Sequence, residues 1–125
     1  MARILIAEDE DAVRSLVERA LTLDGHEVTT AKDGAEALDV LSREGNAFEL
    51  LLADIRMPVM DGIALALATA RDHPAVTILL MTGYADQRER AHGLDALVHD
   101  VIAKPFSLSA IQAAVKDALA AVRRY

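Results

Sequence analysis

Five residues with side chains suited to joint chemistry stand at the ends of apolar runs in this 125-residue chain. Glu8 and Asp9 follow "RILIA", Asp54 closes "FELLLAD", Thr82 closes "VTILLMT" and Lys104 follows "LVHDVIA". Three carboxylates gathered in one place repel one another, which drives their pKa values up unless a cation sits among them. A hard divalent ion such as Mg²⁺ suits this all-oxygen donor set, taking one or two carboxylates and keeping several waters. Nothing softer competes: there is no cysteine, and the histidines at 26, 73, 92 and 99 have no helical i,i+4 pair. A carboxylate held beside Mg²⁺ can attack a phosphoryl group and form an acyl phosphate. Asp54 is the candidate for that attack. Lys104 would offset charge on the equatorial oxygens, and the Thr82 hydroxyl would donate a hydrogen bond to one of them.

Taken singly, each residue has a plainer reading. Asp54 could cap the turn after its strand, Asp9 or Asp11 could cap a helix, Thr82 could simply end a strand, and Lys104 could be a surface lysine beside a turn proline. The five gain meaning together only if the fold sets the strand ends side by side.

The remaining pattern supplies such a fold. "RILIA" (3–7), "EVTTA" (27–31), "FELLLAD" (48–54), "VTILLMT" (76–82) and "LVHDVIA" (97–103) read as short strands. Between them run helical spacings. One from Asp11 carries Val13, Leu16, Val17, Ala20, Leu21 and Leu23, with Gly25 at its end. Others open at Asp33-Gly34 and near Asp61, and a weak one covers 86–94. The last, "SLSAIQAAVKDALAAV", takes Ser107 or Ser109 as its cap. Five strands alternating with five helices predict a doubly wound α/β domain, a five-stranded parallel sheet covered on both faces. The length fits the flavodoxin-like order 2-1-3-4-5, in which ligands bind at the carboxyl ends of the strands where the order reverses.

Composition narrows the classes further. At 53% hydrophobic and 26% charged residues, residues 1–125 read as one globular domain rather than a disordered or fibrous chain. No apolar run approaches the roughly 20 residues that cross a bilayer, and "MARILIAEDE" turns acidic too early for a signal peptide. A cytoplasmic location is expected. A net charge of −7 and 3% aromatic residues argue against nucleic-acid or anionic-membrane partners.

The motifs "ILIAEDE", "LLADIRMPVMDG", "MTGYA" and "IAKPF", in this order and at this spacing, resemble the receiver domain of two-component response regulators over essentially the whole chain. That resemblance implies that Asp54 is the phosphoacceptor. It makes Asp9 a direct Mg²⁺ ligand, Glu8 a contributor through water, and the backbone carbonyl of Arg56 a further ligand. It assigns Thr82 and Lys104 to the phosphoryl group, Thr82 and Gly83 to a switch loop, and a cis bond to Lys104-Pro105. Partners implied are a histidine kinase or histidine phosphotransferase. At the family's second switch position, three residues before the lysine, receivers commonly carry an aromatic residue; this chain has Val101. A narrower likeness is to CpdR-like single-domain regulators, which suggests a ClpX-type protease as the downstream partner. The domain would then act by binding, with no enzymatic activity beyond its own phosphorylation and dephosphorylation.

Two rival classes follow from the same residues. A phosphatase of the haloacid-dehalogenase type needs an acid two residues after its nucleophile, where this chain has Arg56. A flavodoxin-like electron carrier needs a glycine- and hydroxyl-rich phosphate loop after strand one, where this chain has "AEDEDA".

Overall fold

Leu50–Asp54 (β3) is buried at every position, as a strand covered on both faces must be. Leu50 and Leu52 join one core cluster while Leu51 and Ala53 join the other, the period-2 alternation dividing a single strand between two layers. Around it lie β1 (Arg3–Ala7), β2 (Glu27–Ala31), β4 (Thr77–Thr82) and β5 (Asp100–Ala103), in the order β2-β1-β3-β4-β5 and all parallel. This is the predicted order. The computed structural model describes residues 1–44, 47–83, 91 and 93–122.

The helices are α1 (Asp11–Leu23), α2 (Gly34–Glu44), α3 (Gly62–Asp72) and α4 (Leu108–Val122). One cluster packs Val17, Ala20 and Leu21 of α1 and Ile111, Val115 and Ala118 of α4 against Ile4, Ile6, Leu50, Leu52, Leu79 and Met81. The other packs Ala37 and Leu41 of α2 and Leu65 and Ala66 of α3 against Leu5, Ala7, Leu51, Ala53, Ile78 and Leu80. The two edge strands, β2 and β5, are less covered: Val28, Thr29 and Thr30 of the first and Val101 and Ile102 of the second are half-buried.

Several expectations need correction. Four helices stand among the described residues; the weak helix expected over 86–94 falls mostly outside them. Leu16 and Leu23 are exposed, because Val17, Ala20 and Leu21 already fill the strip of α1 that faces the sheet. Neither Asp9 nor Asp11 occupies the N-cap of α1: Glu10 does, without a side-chain capping bond. Of the two serines offered for α4, Ser107 does the capping, its Oγ accepting from the Ala110 N–H at 3.1 Å. Strands β3 and β5 begin later than their apolar runs, at Leu50 and Asp100. No helix among the described residues is long and apolar enough to cross a membrane.

Candidate functional site

Register decides what meets at the carboxyl end of the sheet. Ala7 pairs with Ala53, Asp54 with Met81 and Thr82 with Ala103, so the chain leaves β1, β3, β4 and β5 at the same level. Glu8 is held there by its N–H, which donates to the Ala31 carbonyl at 3.1 Å and ends the β1–β2 pairing. Lys104 is held by its N–H, which donates to the Thr82 carbonyl at 2.7 Å. Ile55 donates to the Met81 carbonyl at 2.9 Å, so β3 stays in register one residue beyond Asp54.

The side chains converge accordingly. Lys104 Nζ lies 2.6 Å from Glu8 Oε1 and 3.1 Å from Asp54 Oδ1. Carboxylate oxygens of Glu8, Asp9 and Asp54 all lie within 4.8 Å of one another. Glu8 is fully buried and Asp54 is 4% exposed, whereas Asp9 faces solvent. Glu8 Oε2 also accepts from the Glu10 N–H at 3.2 Å, which folds the acidic turn back on itself.

Burial dominates the electrostatics. It pushes the Glu8 carboxyl up to about 7 from 4.5, against the lowering effect of the Lys104 hydrogen bond. It raises Asp54 as well, with the Lys104 charge pulling the other way. For Lys104 burial disfavours the ammonium, yet hydrogen bonds and charge from Glu8 and Asp54 outweigh it and leave the pKa raised. The two shifts oppose each other across one short contact, since a charged Lys104 favours an ionised Glu8 while burial resists it. The ammonium is charged on either side of that contest, and the three acids are short of positive charge. One hard divalent ion would supply what is missing, and the cluster of oxygen donors fits it.

A cavity of about 520 Å³ is lined by Asp9, Asp54, Gly83 and Lys104 together with the apolar Leu16 and Phe106. Arg56 lines it from the exposed rim. Thr82 is 3% exposed at the end of β4. The Lys104-Pro105 bond is cis, and Pro105 lines the cavity. Val101 is not part of this gathering: it sits half-buried in β5, packed against the core cluster on the α2 and α3 side.

Two residues of the site escaped the sequence reading. Gly62 opens α3 with its N–H donating to the Ile55 carbonyl at 2.8 Å, and a Cβ there would overlap the Asp54 carbonyl and stand 2.9 Å from Ile55 Cα. The "MDG" triplet signalled a turn, but not this contact. Arg14 looks in sequence like a solvated helix arginine, yet its side chain is 15% exposed and reaches back to the Glu8 carbonyl.

Comparison with known proteins adds to this geometry. A family model for the response regulator receiver domain matches residues 4–116. The CheY-like receiver domain protein of Methanospirillum hungatei JF-1 matches with a TM-score of 0.89 at 28% identity, over 99% of this chain and 98% of that one. TrrA of Thermotoga maritima, solved in complex with Mg²⁺-BeF, matches with a TM-score of 0.81 at 30% identity, over 94% of this chain and 98% of that one. The transcriptional regulatory protein PrrA of Mycobacterium tuberculosis is 37% identical over 117 residues, 94% of this chain and 49% of that protein. The chain thus spans about half the length of the first curated relatives it matches.

Proposed function

Because this chain belongs to the response regulator receiver domain family, whose members take phosphoryl groups in two-component signalling, we propose that Asp54 is its phosphoacceptor. The observation that carries the proposal is the Asp54 carboxylate at the sheet end, 3.1 Å from Lys104 and within 4.8 Å of two further acids. In the transfer, an Asp54 Oδ attacks phosphorus as the N–P bond of a phosphohistidine breaks. The imidazole leaves with the bonding pair, and an acyl phosphate remains. Lys104 Nζ moves from the carboxylates to the phosphoryl oxygens, and Thr82 Oγ1 donates to one of them.

Asp9, Asp54 and the Arg56 carbonyl, with Glu8 contributing through water, would hold Mg²⁺, which would offset charge on the incoming group. Burial of Glu8 and Asp54 keeps water from competing for the same bonds. The donor is a histidine kinase or histidine phosphotransferase. Over residues 1–125 the chain is a single receiver unit whose output is altered protein binding, with turnover limited to its own acyl phosphate. A shift of the Thr82-Gly83 loop is the switch, small in amplitude because Val101 offers no large side chain to bury. The downstream partner is a protein of the ClpX-type protease class, in keeping with the narrower sequence likeness. The cytoplasm is where such partners meet. Neither rival class gains support: Arg56 is exposed where a phosphatase acid would stand, and the turn after β1 is acidic.

Phosphotransfer tests the proposal. A phosphorylated histidine phosphotransferase with Mg²⁺ should lose its label to the wild-type chain and keep it in the presence of Asp54→Asn. Transfer to both proteins alike would defeat the assignment.

A further inference from the structure

Arg14 is the one basic side chain that reaches into the acidic turn from α1 among the described residues. Its Nη1 donates to the Glu8 carbonyl at 3.0 Å, its Nη2 contacts Asp11 Oδ1, and its backbone N–H donates to the Glu10 carbonyl at 2.9 Å. These bonds bracket Asp9, the exposed acid whose carboxylate must stay opposite Asp54. The usual device for this junction is absent, since Glu10 at the N-cap of α1 makes no side-chain capping bond. The Glu8 carbonyl also lies just past the last β1 pairing, so no sheet partner fixes it.

We propose that Arg14 is a positioning residue: it clamps the Glu8–Asp9–Glu10 turn so that Asp9 stands ready to share a divalent cation with Asp54. This rests on the reading of the acidic cluster as a Mg²⁺ site. A distinct sign separates positioning from charge. Coulomb's law makes a guanidinium near the cation unfavourable, so deleting Arg14 for its charge alone would tighten Mg²⁺. Deleting a clamp loosens it, as loss of groups that orient metal ligands commonly does.

The experiment titrates Mg²⁺ alone into wild type, Arg14→Met and Arg14→Lys, following the amide signals of Asp9 and Asp54 and recording Tm for each protein. Arg14→Met keeps the apolar stem and loses both bonds and charge; its Mg²⁺ affinity should fall about tenfold. Arg14→Lys keeps the charge and one donor but not the fork, and should fall between the two. Unchanged or tighter binding by Arg14→Met overturns the inference, even if its Tm drops, because a purely structural role moves Tm and leaves Mg²⁺ affinity alone. Should Arg14→Met fail to fold, Arg14→Lys decides: affinity below wild type supports the clamp and equal affinity overturns it. A wild type that ignores Mg²⁺ removes the reading of the site itself, and the inference with it.

Discussion

Glu8 and Lys104, 96 residues apart in sequence, meet at 2.6 Å over the carboxyl end of the sheet. Glu8 is fully buried there and Lys104 largely so. The lysine thus occupies the place of the positive charge that the acids need, while also touching Asp54. A divalent cation held by the cluster would take over that role, leaving the ammonium available to a phosphoryl group.

Stability should therefore fall as pH rises in the metal-free protein. The Glu8 carboxyl is raised to about 7 by burial from a value of 4.5. Between those values the folded chain holds more protons than the unfolded one, and stability drops as pH climbs through the window. Asp54, also raised, adds in the same direction. The loss should be on the order of 2 kcal/mol, at about 1.4 kcal/mol per unit with some allowance for relaxation. Urea unfolding at about pH 5 and about pH 8, with and without Mg²⁺, checks this: the ion should cancel most of the loss. A metal-free protein more stable at the higher pH would be the wrong sign.

Lys104→Ala should bind Mg²⁺ more tightly, by about fivefold or more, since a unit charge 4 Å away is worth about 1 kcal/mol even in water. The same variant should lose the link between phosphorylation and the Thr82-Gly83 loop. Calorimetric titration measures the first effect. Comparison of Gly83 amide shifts before and after phosphorylation measures the second, and a wild-type-sized shift in the variant would show that coupling runs elsewhere.

Gly62→Ala should destabilise the fold by about 1–3 kcal/mol. The added methyl overlaps the Asp54 carbonyl, and the rigid β3 backbone cannot give way. Because the displaced atom belongs to Asp54 itself, phosphoryl acceptance should slow in the same variant. Chemical denaturation and a rate measured well below the unfolding midpoint separate the two effects.

Val59 should be replaceable at a profit. Its φ of +70° is a left-handed conformation that a β-branched side chain resists by about 1–2 kcal/mol, and that side chain is 85% exposed. Val59→Asn should raise stability by about 1 kcal/mol, because asparagine tolerates this conformation. A lower unfolding midpoint would mean that the valine side chain has a stabilising contact after all.

The sheet was legible in the sequence because each strand is a short aliphatic run, and the site because its members sit where those runs end. Length and alternation fitted the strand order without forcing it, and the register then brought Glu8, Asp54, Thr82 and Lys104 level. That Glu8 is buried and Asp9 exposed was not read, although alternation carries the signal: Ile4, Ile6 and Glu8 continue one face. Sequence spacing also overfilled α1, because it cannot tell how wide a strip the sheet covers, and so Leu16 and Leu23 were placed inside. Arg14 and Gly62 act through contacts with backbone atoms of Glu8 and Asp54, and no side-chain pattern announces a partner that is a carbonyl.

The most direct measurement locates the phosphoryl group. Wild-type protein treated with acetyl phosphate and Mg²⁺ should gain the mass of one phosphoryl group, and borohydride reduction followed by peptide sequencing should find homoserine in place of Asp54. Asp54→Asn, folded by circular dichroism, should gain nothing. Undiminished labelling of that variant, or reduction at any other residue of the wild type, would contradict the assignment of Asp54 as phosphoacceptor.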